Sequence, residues 1–139
     1  MSKPELSITN LKNSIDALEE SIKAYEENTD QRMKGFIEDS CVKRFEFTVE
    51  TSWKIMKKYL KVIYGKDDKE LTMNNIFRLM QGYGYIENWE TWRDYYQKHN
   101  NTAHEYSLEK SRVLIEIIPY FINDVKFLIT KFQEKQVND

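Results

Sequence analysis

The chain has 139 residues, a formal net charge of -2, 40% apolar and 32% charged residues, and one cysteine, Cys41. That is enough chain for one domain with a real core, while the near-neutral charge gives no global attraction to nucleic acid or membrane. A single cysteine excludes an intrachain disulfide and a cysteine-based zinc site, and no metal or cofactor is expected.

In chain order, Ile8, Leu11, Ile15, Leu18, Ile22 and Tyr25 recur at spacings of three and four, which predicts an amphipathic helix from Ser7 to Glu27. The polar break "ENTD" follows. A long second helix is expected from Asp30 to Tyr64, with Met33, Phe36, Ile37, Val42, Phe45, Val49, Trp53, Met56 and Leu60 on its apolar side and Gly65 as its C-terminal stop. Thr72 is placed to cap a short helix, "MNNIFRLMQ", and Asn88 to cap a fourth, "WETWRDYYQKH". The polar stretch from Asn100 to Tyr106 reads as a connection. Ser107 then caps a last helix to Gln133, with Leu108, Val113, Ile117, Phe121, Val125, Leu128 and Phe132 inward and a kink near Pro119.

Only four glycines and two prolines interrupt the chain, and no strand alternation or repeat occurs. The expected architecture is all-α: an antiparallel up-and-down four-helix bundle with a short extra helix, one domain over 1–139 with its ordered part at 6–132. No stretch is of signal-peptide or membrane-spanning type, so a cytoplasmic protein is expected.

Two stretches concentrate chemistry. "KHNNTAHEY" holds both histidines, His99 and His104, with Asn100, Asn101 and Tyr106. Imidazoles exchange protons near neutrality and asparagines donate to phosphate or base edges, so such a pair can cleave RNA without a metal. Such residues are also ordinary between two helices. "KRFEFTVETSWKIMKK" places Glu46 and Glu50 four apart, with Trp53 and Lys54 continuing that side and Arg44 and Thr48 on a neighbouring row. Taken alone it fits a solvated helix face. The cluster Tyr83, Tyr85, Trp89, Trp92, Tyr95 and Tyr96 fits core or a subunit interface, and Cys41 sits in a helix with no histidine close in sequence.

Together, "KRFEFTVETSWKIMKKYL" and "HNNTAHEYS" resemble the two signatures of the nucleotidyltransferase substrate-binding proteins, four-helix bundles of the HEPN superfamily. The resemblance spans Leu6 to Phe132. It implies a homodimer that works beside a minimal nucleotidyltransferase, either as the substrate-binding, non-catalytic subunit of a two-part enzyme or as a metal-independent ribonuclease toxin silenced by AMP addition. By position, His104 matches the motif histidine, Asn100 the motif asparagine and Tyr106 the modified tyrosine. Arg44, Glu46, Glu50, Trp53 and Lys54 match the signature helix, with Glu46 and Glu50 expected to partner Arg44 or site residues. His99 stands where the family has arginine. An imidazole is a shorter and only partly charged clamp for phosphate, although it can act as a catalytic acid. In the ribonuclease case His104 is the catalytic base or acid with His99 in the arginine's role; in the binding case Asn100, Arg44, Glu46, Glu50 and Lys54 contact nucleotide or RNA.

Overall fold

The computed structural model describes residues 8–104 and 108–137, with side chains over 8–101 and 111–135. Among these residues there are five α-helices and no strand: α1 (Ile8–Glu27), α2 (Gln31–Val62), α3 (Met73–Gly82), α4 (Trp89–His104) and α5 (Leu108–Val137), with a single 3-10 turn at Asp68–Glu70. The long helices α1, α2, α4 and α5 form an up-and-down bundle in which α1 and α4 each lie against both α2 and α5. The short α3 packs on α4 and α2.

Local chemistry sets the helix ends. The Asp30 side chain accepts from Arg32 N at 2.9 Å and starts α2. Thr72 caps α3 through Asn75 N, and Asn88 Oδ1 accepts from Glu90 N at 2.8 Å and Thr91 N at 3.3 Å at the start of α4. These side-chain oxygens satisfy amides that have no partner in the first turn. After α2, Gly65 takes φ 67° and Lys66 N reaches back to Leu60 O at 2.9 Å. Only glycine enters that left-handed conformation without strain.

One apolar cluster fills the bundle. Phe45, Phe77, Phe121, Phe132, Tyr59 and Tyr85 are buried within it. Phe121 links two helices to its own: its ring meets Phe45 of α2 at 4.8 Å, and Trp92 and Tyr95 of α4 at 5.8 and 4.8 Å.

The structure corrects several expectations. The segment from Asn100 is helix rather than connection, because α4 continues to His104. No glycine or proline interrupts it, and a started helix adds residues at little cost even through asparagine and threonine. On α5, Val113 is 54% exposed while Leu114, Ile115 and Ile118 are buried. On α2, Met33 and Phe36 face outward, Phe36 at 70% exposure. As expected, Pro119 stands inside α5, on its exposed side. Trp53 is half-buried rather than a core residue.

Candidate functional site

Helix α2 carries its polar residues in two arcs. With about 100° of turn per residue, Glu46, Glu50, Trp53 and Lys57 fall on one side and Arg44 on the other. The Arg44 side turns toward α1. Arg44 Nη1 donates to Ala17 O at 2.7 Å and to Ser21 Oγ at 2.8 Å, and Thr48 Oγ1 bonds back to Arg44 O at 2.7 Å. Arg44 thus ties two helices together and does not reach the histidine region. Cys41 lies on this inner side, fully buried, and burial pushes its thiol up to about 11 against the lowering effect of Arg44. A thiol in that state is no nucleophile near neutrality.

The other arc meets α4. Here His99 is 8% exposed, with Nε2 3.4 Å from Glu50 Oε1, an ion pair when the ring is protonated. Its Nδ1–H donates to Asn100 Oδ1 at 3.1 Å. The imidazole stacks on Tyr96, centroids 5.8 Å apart and planes 14° from parallel, and Tyr96 in turn meets Trp53 edge-on at 6.5 Å. Lys54 Nζ lies 3.1 Å from Glu50 Oε2 and 5.8 Å from the Trp53 ring centre. Glu46, one turn before Glu50, pairs with Lys43 at 3.6 Å.

Of the residues singled out from the sequence, the structure therefore brings together His99, Asn100, Glu50 and Lys54, with Glu46 one turn away, and separates Arg44 from them. His104 is the last residue of α4, one turn beyond Asn100 along the backbone. Its side chain and the whole of Tyr106 lie outside the described residues.

The arrangement holds an imidazole by a carboxylate, an amide and an aromatic face, with an ammonium group alongside. Such a set can orient a proton-transferring ring and receive a phosphate. Among the described residues no cluster of metal-ligating side chains occurs.

Sequence reasoning missed Tyr96, which backs His99, and the lysines past Lys54 on α2. The signal was present as Lys54, Lys57, Lys58 and Lys61, at intervals that keep them on adjoining rows of one helix. Tyr95, beside Tyr96, turns inward, in keeping with the core placement open to the aromatic cluster. Tyr95 donates from its hydroxyl to Asp124 Oδ2 at 2.6 Å. Burial first, then that bond and the Asp124 charge, raise the Tyr95 phenol well above its ordinary value.

Fold and site together define an all-helical bundle with a polar contact, Glu50 on His99, between two of its long helices. Over residues 6–134 the sequence matches the family described as nucleotidyltransferase substrate binding protein like, and the chain belongs to that family. Its similarity to a Haemophilus influenzae protein named probable ribonuclease HepT is 28% identity over 101 residues, 71% of this chain and 69% of the relative. Two solved structures share the fold. One, from Haemophilus influenzae and described as a substrate binding domain of a nucleotidyltransferase, superposes with a TM-score of 0.82 at 22% identity, over 91% of this chain and 99% of that one. The other, from Thermus thermophilus, gives 0.72 at 19% identity, over 87% and 97%.

Proposed function

We propose that the chain is the substrate-binding, non-catalytic subunit of a two-component nucleotidyltransferase system, a single helical domain that works as a cytoplasmic homodimer. The observation that carries this is the Glu50–His99–Asn100 arrangement between α2 and α4 in a chain of this family. Lys54, held against Glu50, is the group nearest at hand for a phosphate. In this function a cleft around His99, Asn100 and His104 binds a nucleotide or polynucleotide, or presents Tyr106 to the partner. Asn100 contacts the ligand, and Glu50 orients His99. Arg44 serves by holding α2 against α1. No described helix is long and apolar enough to cross a membrane.

The test is mild purification with intact-mass analysis of everything that co-elutes. A small nucleotidyltransferase in the same peak, or an AMP adduct mapped to Tyr106 and absent from Tyr106→Phe, is the expected result. A bare, unmodified chain overturns the two-component proposal. A label that persists on Tyr106→Phe overturns the role of Tyr106.

A second function is supported by the similarity to the relative named as a ribonuclease and by the carboxylate-held imidazole of His99. In it the protein is a metal-independent ribonuclease toxin neutralised by its nucleotidyltransferase, with His104 as base or acid and His99 in the role of a phosphate clamp. Cleavage of RNA that survives His104→Ala removes this catalytic assignment.

A further inference from the structure

The second half of α2 carries a feature that the cleft does not use. A shallow groove of about 490 Å³ is lined by Trp53, Lys54, Lys57, Lys58, Lys61 and Val62. All of its lining residues stand on one outer face of α2, so it is an open strip along the helix surface. We propose that this groove is a second binding site, a track for the phosphodiester backbone of a single-stranded polynucleotide whose adjoining segment lies in the His99–Glu50 cleft. It rests on the nucleotide-binding function proposed for that cleft.

Four ammonium groups line the groove, and the carboxylates set against them are Glu50 on Lys54 (3.1 Å) and Asp68 shared by Lys57 (3.8 Å) and Lys61 (3.0 Å). Lys58 has no ion pair among the described residues and is exposed. The other two carboxylates of the Asp68 turn, Asp67 and Glu70, are engaged by backbone amides in a capping box. The four lining lysines outnumber the two carboxylates paired with them. The groove's ion pairs are solvent-exposed, contribute little to stability, and yield readily to a phosphate.

Spacing identifies the ligand class. From Lys54 to Lys61 the charges extend along about 10 Å of helix, with axial steps of about 4.5 Å from Lys54 to Lys57 and from Lys58 to Lys61. One phosphate does not span that distance, whereas successive phosphates of an extended strand can meet successive lysines. Trp53 adds an aromatic ring, on which a base can stack regardless of its identity. Continuity with the cleft is direct. Lys54 and Trp53 line the groove, Lys54 binds Glu50, and Trp53 meets the Tyr96 ring on which His99 stacks.

The experiment compares two probes by fluorescence anisotropy: a labelled oligouridylate of about 12 nucleotides and labelled AMP. The proteins are the wild type, Lys58→Gln with Lys61→Gln, and His99→Ala, each checked by circular dichroism. The double variant is expected to bind the oligonucleotide at least tenfold more weakly. Its log–log salt slope should fall by about 1.4, the loss of two phosphate contacts on a single strand. Its AMP binding should stay unchanged. His99→Ala should lose AMP and retain the salt-dependent share of oligonucleotide binding. An oligonucleotide affinity and slope unaltered in the double variant overturn the track, as does a wild type that ignores the oligonucleotide at low salt. A double variant that keeps the oligonucleotide but no longer co-purifies with a nucleotidyltransferase makes the groove a protein dock and also overturns it. Oligonucleotide binding that needs the lysines in a protein with no AMP binding upholds the track and removes the nucleotide role of the cleft.

Discussion

The two arcs of α2 carry similar residues to different ends. On one, Arg44 and Thr48 bond to main-chain and hydroxyl oxygens and seal α2 to α1. On the other, Glu50 and Lys54 meet a histidine and open solvent. Both arcs come from the same short stretch of sequence. A charged side chain's role here is set by the helix it faces: a neighbour offering fixed carbonyls makes it a tie, and one offering a titratable ring makes it part of a site. The same split recurs one helix over, where Tyr95 is buried on Asp124 and Tyr96, its neighbour, supports His99.

The largest expected effect removes both sides together. Phe121→Ala takes out the ring that contacts α2 and α4 at once. A loss of about 3–5 kcal/mol is expected in urea denaturation, with ligand binding lost in step with folding. Arg44→Ala then separates the arcs. It should cost about 1.5–3 kcal/mol, the range for a hydrogen bond to a charged group, and leave AMP affinity per folded molecule unchanged. Weaker AMP binding at full stability would place Arg44 in the site and dissolve the distinction.

Tyr95→Phe examines the buried half of the Tyr95–Tyr96 pair, at an expected cost of about 1–2 kcal/mol. It also carries a pH signature. The folded-state phenol is raised, so the fold favours its neutral form. That stability is complete below the unfolded tyrosine value of about 10 and is lost as pH rises beyond it. Unfolding free energies measured at neutral and strongly alkaline pH should therefore diverge less in the phenylalanine variant than in the wild type. An equal alkaline loss in both proteins would assign it to other groups. Tyr85, raised by burial and by its bond to Tyr64, remains as an internal reference. The smallest stability change is expected for Glu50→Gln, below about 1 kcal/mol, because its pair with Lys54 is exposed and glutamine keeps an oxygen for His99. A severalfold loss of AMP affinity should accompany it. Unaltered AMP affinity would make Glu50 an ordinary surface carboxylate.

The helices and the caps at Thr72 and Asn88 were legible because capping is local, each acting on amides two or three residues away, while the expected cap at Ser107 lies outside the described residues. On α5 the inward positions Phe121, Val125, Leu128 and Phe132 were legible too, but the face of its first half was not. Val113, Leu114, Ile115, Ile117 and Ile118 offer several overlapping apolar stripes, and only packing chooses the one through Leu114 and Ile118. In the site, the residue types and the family resemblance were readable. The resemblance offered Glu50 either Arg44 or a site residue as partner; that it meets His99 depends on how α2 and α4 lie against each other. The separation of Arg44 from its signature neighbours follows from helical geometry once α2 is known to be one unbroken helix.

The continuation of α4 to His104 has a consequence for how this chain can change. Within a helix, the number of residues between two positions is also an angle. A loop would absorb one added residue between Asn101 and Thr102 by bulging outward. Here it would turn the rest of α4, as far as His104, by about 100° and advance it by about 1.5 Å. The interval from His99 to His104 therefore behaves as a phase rather than a length, and a change in its count is a rotation of His104 about the helix axis.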